Sequence, residues 1–307
     1  MANFYMLIGI PGCGKSTWAE QHKDSLNAEI LSSDRIREEH FGDVNDQSHN
    51  VEVFDLMLKR TQEYLNSGIN VIYDATNVNR RRRVNLIKSL PENTHTTAIL
   101  FATPFVNCCE RNNLRDRKVP EDVMWKFYKT FQAPWYGEGF HDIYIEYDEK
   151  LAKRAKKEMQ TCFDTSRSIP HDNPHHTATI GDHMDNAYNY AIQICEREHM
   201  DVSDCHILEE ASLWHDIGKV KTKVFTDMSG NPTDIAHFYF HANVSAYDYL
   251  CAKCYKLTDT VLYITNLINN HMVFFEGTGA EQKIKERYDE HFYKLLTWLH
   301  ECDIHAD

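Results

Sequence analysis

A glycine-rich segment at residues 8–21, IGIPGCGKSTWAEQ, is the feature that most constrains how this chain folds. Its glycines let the backbone turn tightly enough for successive N–H groups to face an anion, and its lysine reaches the β- and γ-phosphates of a nucleotide. The apolar run at residues 4–8 predicts a buried strand before the loop, and residues 17–21 predict a helix after it. This order predicts a P-loop that binds ATP or another nucleoside triphosphate together with Mg²⁺. The residues predicted to form the site are Gly9, Gly12, Cys13, Gly14, Lys15, Ser16 and Thr17.

A second apolar segment, residues 28–31, predicts another strand, and Asp34 and Arg37 come just beyond it. Ligands of doubly wound sheets lie at the carboxyl ends of the strands, so we expect both side chains at an active cleft. The alternative is that Ser33 or Asp34 only caps a helix that begins at Arg35.

The next predicted strand, in INVIYDATN at residues 69–77, also ends in polar side chains. Asp74 is placed there as a Walker-B-type carboxylate that contacts the nucleotide's Mg²⁺. Thr76 and Asn77 follow it at the same strand end. Two polar strand ends beside one phosphate loop predict a catalytic cleft.

Two groups of arginines supply positive charge to this half of the chain. Arg111 and Arg115 are four residues apart, which predicts one shared helix face that closes over the nucleotide; a solvated charged face is the alternative. A run of four further arginines follows the third strand and predicts contacts with the backbone phosphates of an acceptor. Those four residues are Arg80, Arg81, Arg82 and Arg83.

The segments GIPGCGKSTWA, SSDRIR, DATNVNRRRR and ERNNLRDRKVP, in this order, resemble the phage-type polynucleotide 5′-kinases over residues 1–135. The resemblance implies that Asp34 is the general base for an acceptor 5′-hydroxyl and that Arg37 contacts an acceptor phosphate. It also implies that Arg111 and Arg115 are lid arginines that act with the P-loop lysine.

The same resemblance implies an acceptor-side role for Thr76 or Asn77, because the phage pattern reads Asp-Thr-Asn where this chain has Asp-Ala-Thr-Asn. The implied chemistry is coherent, because a carboxylate that accepts the hydroxyl proton accelerates attack by about 10²–10⁴.

Charge and histidine content divide the chain. The formal net charge is −13, which counts against a polyanion-binding surface, but after residue 159 there are 11 basic and 23 acidic residues, so the acidity belongs to the second half. Thirteen of the 18 histidines also lie there, a composition that favours divalent cations. A charged helical segment at residues 148–160 and a proline-containing linker at residues 165–176 predict two domains, 1–155 and 160–307.

His215 and Asp216 stand side by side after an apolar helical stretch, in SLWHDIGKVK. A lone histidine of this kind is more often a hydrogen-bonded core residue than a ligand. Several candidate ligands beside apolar helical patterns favour a metal centre instead. The additional candidates are His183, His241, His271 and Asp303, with His237 as a second choice to His241.

This half resembles the HD-domain metal phosphohydrolases, an all-helical family, over residues 165–307. The resemblance implies four ligands that the superfamily shares, His183, His215, Asp216 and Asp303, and two that a second metal adds, His241 and His271. Nitrogen and carboxylate ligands together suit one or two ions of Mn, Fe, Co, Ni or Zn. Lys219 matches a family position that faces the scissile phosphate; a surface lysine in a helical turn is the alternative.

Together the halves predict an α/β P-loop kinase, with a parallel sheet and flanking helices, followed by an all-α phosphohydrolase. The pairing resembles the bifunctional HD–polynucleotide kinase enzymes, with the kinase first in this chain. It implies healing of RNA or DNA ends, RNA above all: phosphorylation of 5′-OH ends, hydrolysis of 2′,3′-cyclic or 2′/3′-phosphate ends, and a separate RNA ligase as partner. The alternatives are a nucleoside or small-molecule kinase fused to a nucleotide phosphohydrolase, and an ATP-gated sensor.

The remaining composition indicates a cytoplasmic protein. Its nine cysteines are odd in number and scattered, which favours reduced thiols. No apolar run approaches the ~20 residues of a membrane span, and the first apolar segment leads into the phosphate loop rather than a cleavage site.

Overall fold

A five-stranded parallel sheet organises the first of two structural units, which comprises Met1–Met124 and Pro134–Tyr147. The computed structural model describes residues 2–44, 48–174 and 177–306. The strand order is β2-β3-β1-β4-β5. The strands are β1, Asn3–Ile8; β2, Ala28–Ser32; β3, Asn70–Asp74; β4, His95–Phe101; and β5, Asp142–Glu146.

The centre of this sheet is apolar on both faces, as parallel sheets covered by helices are. Phe4, Met6 and Leu7 of β1 are completely buried. Because β3 pairs with both β1 and β2 in parallel, the carboxyl ends of these three strands meet at one edge, where Ser32 is in register with Asp74. The sheet therefore brings the P-loop and both predicted polar strand ends together.

Helices connect the strands of the first unit. Helix α3 shows the amphipathic pattern clearly, since Val53, Met57 and Leu65 are buried on one face. The helices are α1, Lys15–His22; α2, Ser33–Phe41; α3, Asn50–Asn66; α4, Arg80–Lys88; α5, Phe105–Asn113; and α6, Glu121–Lys129.

The second unit is mainly helical and comprises Trp125–Ala133, which includes the end of α6, and Asp148–Asp307. A two-stranded antiparallel hairpin interrupts its helices. Its remaining elements are α7, Glu149–Ser166; α8, Ile180–Glu198; α9, Val202–Trp214; α10, Lys219–Thr222; β6, Val224–Thr226; β7, Pro232–His237; α11, His241–Lys253; α12, Thr258–Asn270; α13, Thr278–Arg287; and α14, Glu290–Ile304.

The structure differs from the predicted organisation in three details. The boundary after residue 155 falls inside α7, whose apolar face is buried in the second unit. The second unit is not all-helical, because it contains the β6–β7 hairpin. The predicted linker at residues 165–176 is also built into the fold: Pro170 pairs with Thr179, while residues 175–176 lie outside the described residues.

Within the described ranges, the structure contains no helix that is both long and apolar enough to cross a membrane. All nine cysteines are free thiols.

Candidate active sites

The P-loop between β1 and α1 has the backbone geometry that its glycines predict. Gly12 and Gly14 have φ values of +83° and +110°, which non-glycine residues rarely adopt. A Cβ on Gly12 would lie 2.4 Å from the carbonyl oxygen of Cys108, so the loop could not keep this path with a larger residue. The loop leads directly into the N-terminus of α1, where backbone N–H groups favour phosphate.

Side chains of the loop meet the end of β3. Lys15 is buried, and its Nζ donates to the carbonyl oxygens of Gly9 and Ile10 at 2.9 Å each. The Ser16 hydroxyl donates to Oδ2 of Asp74 at 2.8 Å. Burial raises the pKa of Asp74, and the nearby Lys15 ammonium and Ser16 hydroxyl partly offset that rise.

These residues match the requirements of a nucleotide with its metal ion. The loop offers N–H donors and one ammonium to phosphate oxygens, while a hydroxyl and a carboxylate lie in contact as oxygen ligands for Mg²⁺. The donors that would hold ATP and Mg²⁺ therefore come from the loop, Ser16 and Asp74.

Asp34, in the first turn of α2, is held by two arginines. Its Oδ1 lies 3.1 Å from Nη1 of Arg37, and its Oδ2 lies 3.0 Å from Nη1 of Arg117. Arg37 is buried and also donates to Oδ1 of Asn50, whereas Asp34 is 57% exposed. Two fixed guanidinium groups thus orient an accessible carboxylate.

The alternative of a simple helix cap is wrong for Asp34. Helix α2 begins at Ser33 rather than Arg35, with Ser32 at the N-cap position. Asp34 lies inside the first turn and directs its carboxylate to Arg37 and Arg117 instead of to the helix's own N–H groups.

The predicted pair Arg111 and Arg115 does not share a helix face. Helix α5 ends at Asn113, because the Asn112 side chain bonds both the N–H and the C=O of Val119 and so turns the chain. Arg111 does reach the P-loop, where its Nη1 donates to the carbonyl oxygen of Cys13 at 3.3 Å. Arg115 lies exposed after the helix end.

The four-arginine run is split by the helical period of α4. Arg80 and Arg83 are 5% and 1% exposed, and both contact the buried carboxylate of Glu138. Arg81 and Arg82 are exposed on the opposite side. The prediction that all four contact an acceptor's phosphates is therefore wrong for Arg80 and Arg83, which stabilise the fold.

Thr76 and Asn77 lie at the end of β3 as predicted, but their contacts there are structural. The Thr76 carbonyl accepts from the N–H of Gly9 at 3.0 Å. Asn77 has φ +49°, and its Nδ2 donates to the Leu7 carbonyl at 2.7 Å. Both residues tie β3 to the start of the P-loop, which the assignment to the acceptor side did not anticipate.

The second unit brings six predicted metal ligands from five segments into two overlapping groups. One donor atom from each member of a group lies within 4.8 Å of those of all other members. All six side chains are almost fully buried. The first group is His183, His215, Asp216 and Asp303, and the second is Asp216, His241 and His271.

The hydrogen bonds of three histidines indicate which nitrogen faces the centre. Nδ1 of His215, His241 and His271 lies 2.7–2.8 Å from the carbonyl oxygens of Ser212, Phe238 and Ile268, respectively. A carbonyl only accepts, so each Nδ1 carries a proton, and Nε2 is the nitrogen that can bind a cation when it is unprotonated.

Nε2 of His241 lies 3.1 Å from Nε2 of His271, and Oδ1 of Asp216 lies 3.1 and 3.5 Å from them. Acceptor atoms this close together repel one another unless a cation lies between them. The donor set of imidazole nitrogens and carboxylates suits divalent transition metals. The six residues therefore match one or two such ions.

The electrostatics of this centre also favour positive charge. Burial alone would lower the pKa of His215, but the Asp216 and Asp303 carboxylates raise it to about 10. Burial would raise the pKa of Asp216, yet Lys219 and His215 hold it well below its usual value. Both shifts express the stabilisation of a cation among the carboxylates.

Two further side chains, Lys219 and His171, lie at the edge of the centre, whereas His237 is not a member of it. Lys219 is buried, and its Nζ lies 2.5 Å from Oδ2 of Asp216, so it is not a surface lysine. His237, on β7, lies outside both ligand groups that the described residues form, whereas His241 belongs to one of them. His171 is 1% exposed, with its Nε2 3.4 Å from the Lys219 Nζ.

Sequence reasoning missed three residues of these sites. Arg117 lies within ERNNLRDRKVP, but the prediction used only Arg111 and Arg115 because they are four residues apart. Glu138 is far from the arginines in sequence and had no pattern to mark it. His171 lay in a proline-containing segment interpreted as a linker, and its histidine content was the available signal.

Comparisons with known proteins support the first unit's assignment. Residues 4–134 match the AAA domain family. L-seryl-tRNA(Sec) kinase from Methanococcus maripaludis is 29% identical over 157 residues, which is 48% of this chain and 60% of that relative. The chain thus covers less than two thirds of that protein.

Solved structures give weaker similarity. A chain in the structure of the Pnkp1/Rnl/Hen1 RNA repair complex is 21% identical, with a TM-score of 0.39 and coverage of 42% of this chain and 43% of that chain. Shikimate kinase from Acinetobacter baumannii, in complex with shikimate, is 18% identical, with a TM-score of 0.35 and coverage of 54% and 94%. The family match lies largely within the first unit, which is an α/β domain with P-loop geometry and a parallel sheet; the second unit that follows it is mainly helical.

Proposed function

We propose that this protein heals nucleic-acid ends, RNA ends in particular. Its first unit phosphorylates 5′-hydroxyl ends with ATP, and its second unit hydrolyses 2′,3′-cyclic or 2′/3′-phosphate ends. The observation that carries the proposal is the buried six-ligand centre, because it adds a separate phosphoester chemistry to a chain that already contains a P-loop kinase domain.

In the kinase half, the chain's own residues position the reacting groups and stabilise the charge of the transferred phosphoryl group. Lys15 neutralises the phosphoryl group as it moves, and Asp34 accepts the proton of the attacking hydroxyl. Arg37 and Arg117 keep the Asp34 carboxylate in one orientation. Arg111, which already contacts the P-loop, adds charge at the transferred group.

In the second half, the six ligands would hold one or two ions of Mn, Fe, Co, Ni or Zn. When bound, such ions would supply an activated water and polarise the phosphate. The backbone carbonyls that accept from three of the imidazoles fix their rings, so the centre is preorganised. Lys219 brings one ammonium to the edge, where it stabilises negative charge on the phosphoryl oxygens.

The combination of activities favours RNA ends as substrate. Ribonucleases that use the 2′-hydroxyl leave a 5′-OH and a 2′,3′-cyclic phosphate, and one chain with both proposed sites converts each into a ligatable end. A separate RNA ligase is the partner that this chemistry requires. The resemblance of both halves to end-healing enzymes supports the same choice.

One assay tests both halves. Purified protein is given ATP, Mg²⁺ and Mn²⁺ with an RNA oligonucleotide that carries a 5′-OH and a 2′,3′-cyclic phosphate, and both ends are analysed by mass spectrometry. We expect a 5′-phosphate and a 3′ end without cyclic phosphate. A matched DNA oligonucleotide measures the preference for RNA, and a reaction without acceptor measures ATP hydrolysis. Unchanged ends would contradict the proposal, and acceptor-independent ATP hydrolysis would favour a sensor.

A second candidate, a kinase for a small hydroxylated acceptor, is favoured by one observation. The burial of Arg80 and Arg83 against Glu138 removes half of the positive charge expected to contact a polymer. Competition decides between the two acceptors: a nucleoside at equal concentration should leave phosphorylation of the oligonucleotide almost unchanged if the polymer is the substrate. Preferential phosphorylation of the nucleoside would support the second candidate.

A further inference from the structure

We propose that His171 is a positioning residue that holds the Lys219 ammonium at the edge of the six-ligand centre. The contact between His171 and Lys219 does not depend on what the protein does. Its effect on catalysis rests on the proposed phosphoesterase function. His171 lies between two prolines in SIPHDNP, a segment whose composition predicted a linker.

Lys219 is held from three sides. Its Nζ lies 2.5 Å from Oδ2 of Asp216, 3.4 Å from Nε2 of His171, and 5.5 Å from the centroid of the Phe238 ring. The side chain is buried, so water cannot satisfy the ammonium on every side. Its position therefore depends on these few neighbours.

The hydrogen bonds of His171 make it an acceptor for Lys219. Its Nδ1 lies 2.9 Å from the carbonyl oxygen of Ala178, which can only accept, so Nδ1 carries the proton. Nε2 of the neutral ring then presents its lone pair to the Lys219 ammonium. An ammonium has three N–H donors, and Asp216 and His171 take two, which leaves one for a phosphoryl oxygen.

His171 itself is fixed in place by its neighbours along the chain. Asp172 has φ +51°, an uncommon conformation for a residue with a side chain, and its carbonyl accepts from the N–H of Ala236 at 2.8 Å. Lys223, one turn after Lys219, contacts both the Pro170 carbonyl and the Asp172 carboxylate. The segment before α8 is thereby fastened to β7 and to the residue that follows α10.

The hydrogen bond from Lys219 to His171 also affects Asp216, a candidate metal ligand, because both side chains share the same ammonium. Without His171, Asp216 would be the remaining hydrogen-bond acceptor for the ammonium, which would then compete more strongly with an ion for that carboxylate. With His171 as a second acceptor, the ammonium is shared between two partners and keeps one N–H for a substrate anion. His171 also packs edge-to-face on His183, with ring centroids 5.4 Å apart, so it lies directly beside the ligand groups.

Two substitutions separate the two hydrogen bonds of His171. His171→Gln places an amide oxygen near the former Nε2 and keeps an acceptor for Lys219, but it loses the bond to Ala178. His171→Asn keeps a donor for the Ala178 carbonyl and loses the acceptor for Lys219. If a role for His171 in packing alone were correct, the two variants would behave alike.

The first measurement does not depend on activity. The full-length protein is treated with an amine-acylating reagent, and the labelling rate of each lysine is read by mass spectrometry, with Lys253, which pairs with Glu210, as internal reference. We expect Lys219 to label about threefold or more faster in His171→Asn, because a less restrained side chain opens more often, and at the parent rate in His171→Gln. Equal Lys219 labelling in the parent and in folded His171→Asn would overturn the proposal.

The second measurement is hydrolysis of a 2′,3′-cyclic nucleotide by the Mn²⁺-loaded protein. We expect kcat to fall roughly 10- to 100-fold in His171→Asn with KM nearly unchanged, because a misplaced ammonium loses contacts made in the transition state. His171→Gln should retain most of the parent kcat. A parent protein that hydrolyses no phosphoester, together with the expected labelling pattern, would reject the proposed function and leave the positioning supported.

Discussion

The guanidinium of Arg117 lies 3.0 Å from the carboxylate of Asp34 and connects the segment after α5 to the first turn of α2. Nη2 of the same arginine donates to the carbonyl oxygen of Val44 at 2.9 Å. Together with the buried Arg37 on the other oxygen, it determines where the accessible carboxylate points. The first unit therefore has a carboxylate whose orientation can be tested separately from its charge.

Replacement of Asp34 by Asn should lower phosphorylation of a 5′-hydroxyl end by about 10²-fold or more, because the amide cannot accept the hydroxyl proton. The KM for ATP should change little, since the P-loop residues proposed to hold the nucleotide are intact. Steady-state kinetics with ATP and acceptor varied independently measure both effects. Glu38→Gln, an exposed acid on the same helix, is the matched control and should retain the parent rate. A fall of less than about threefold for Asp34→Asn would remove Asp34 from the role of base.

Replacement of Arg117 by Ala should lower kcat for the acceptor by about tenfold, because one oxygen of Asp34 loses its guanidinium partner. Arg117→Lys should recover only part of this loss, since one ammonium cannot reproduce the fork that joins Asp34 to the Val44 carbonyl. The combined Asp34→Asn and Arg117→Ala variant provides the check. If Arg117 acts through Asp34, the double variant is no slower than Asp34→Asn alone, whereas additive losses would assign Arg117 a separate role.

The arginines of α4 provide a matched comparison of buried and exposed charge. Arg83→Ala leaves the Glu138 carboxylate buried with one partner fewer and should lower the free energy of unfolding by about 3–5 kcal/mol. Arg81→Ala, on the exposed side, should change it by less than about 0.5 kcal/mol. Urea unfolding monitored by circular dichroism measures both. Similar losses for the two variants would contradict the division of the run into a buried and an exposed pair.

The exposed pair, Arg81 and Arg82, also provides a test of whether the acceptor is a polymer. If a polymer is the substrate, Arg81→Ala combined with Arg82→Ala should weaken binding of the oligonucleotide and make its affinity less dependent on salt, because fewer counterions are released. ATP affinity should stay the same. An unaltered salt dependence would mean that these arginines do not contact the acceptor's phosphates.

Replacement of Asp216 by Asn, or of His215 by Ala, should reduce the bound metal and abolish phosphoester hydrolysis, because Asp216 belongs to both ligand groups and His215 to one. The proposed kinase activity should persist, since the candidate Mg²⁺ ligands of the first unit, Ser16 and Asp74, are different residues. Metal content by elemental analysis and both activities are measured on each variant. His237→Ala, a histidine outside both groups, is the control and should keep its metal. Full metal and full hydrolysis in Asp216→Asn would contradict the proposed centre.

Local sequence was sufficient for the features that depend on nearby residues. The P-loop followed from glycines and a lysine at fixed spacing, and the conformation of such a loop is set by its own φ angles and by the strand and helix beside it. The polar residues after β2 and β3 followed from the rule that parallel strands end at one edge, which the β2-β3-β1 order confirms. The six candidate ligands were each found beside a helical pattern, although their convergence was visible only in the structure.

Only the tertiary structure determined which charged side chains are exposed and which contact a partner distant in sequence. Arg80 to Arg83 are identical in sequence, yet helical geometry turned two of them toward Glu138, 55 to 58 residues away, and left two exposed. Arg117 and His171 gained their importance from partners 83 and 48 residues distant, Asp34 and Lys219, that no local pattern connects to them. A side chain's electrostatic role depends on its neighbours in space, so for these residues it was determined only once the sheet and the helices had brought distant segments together.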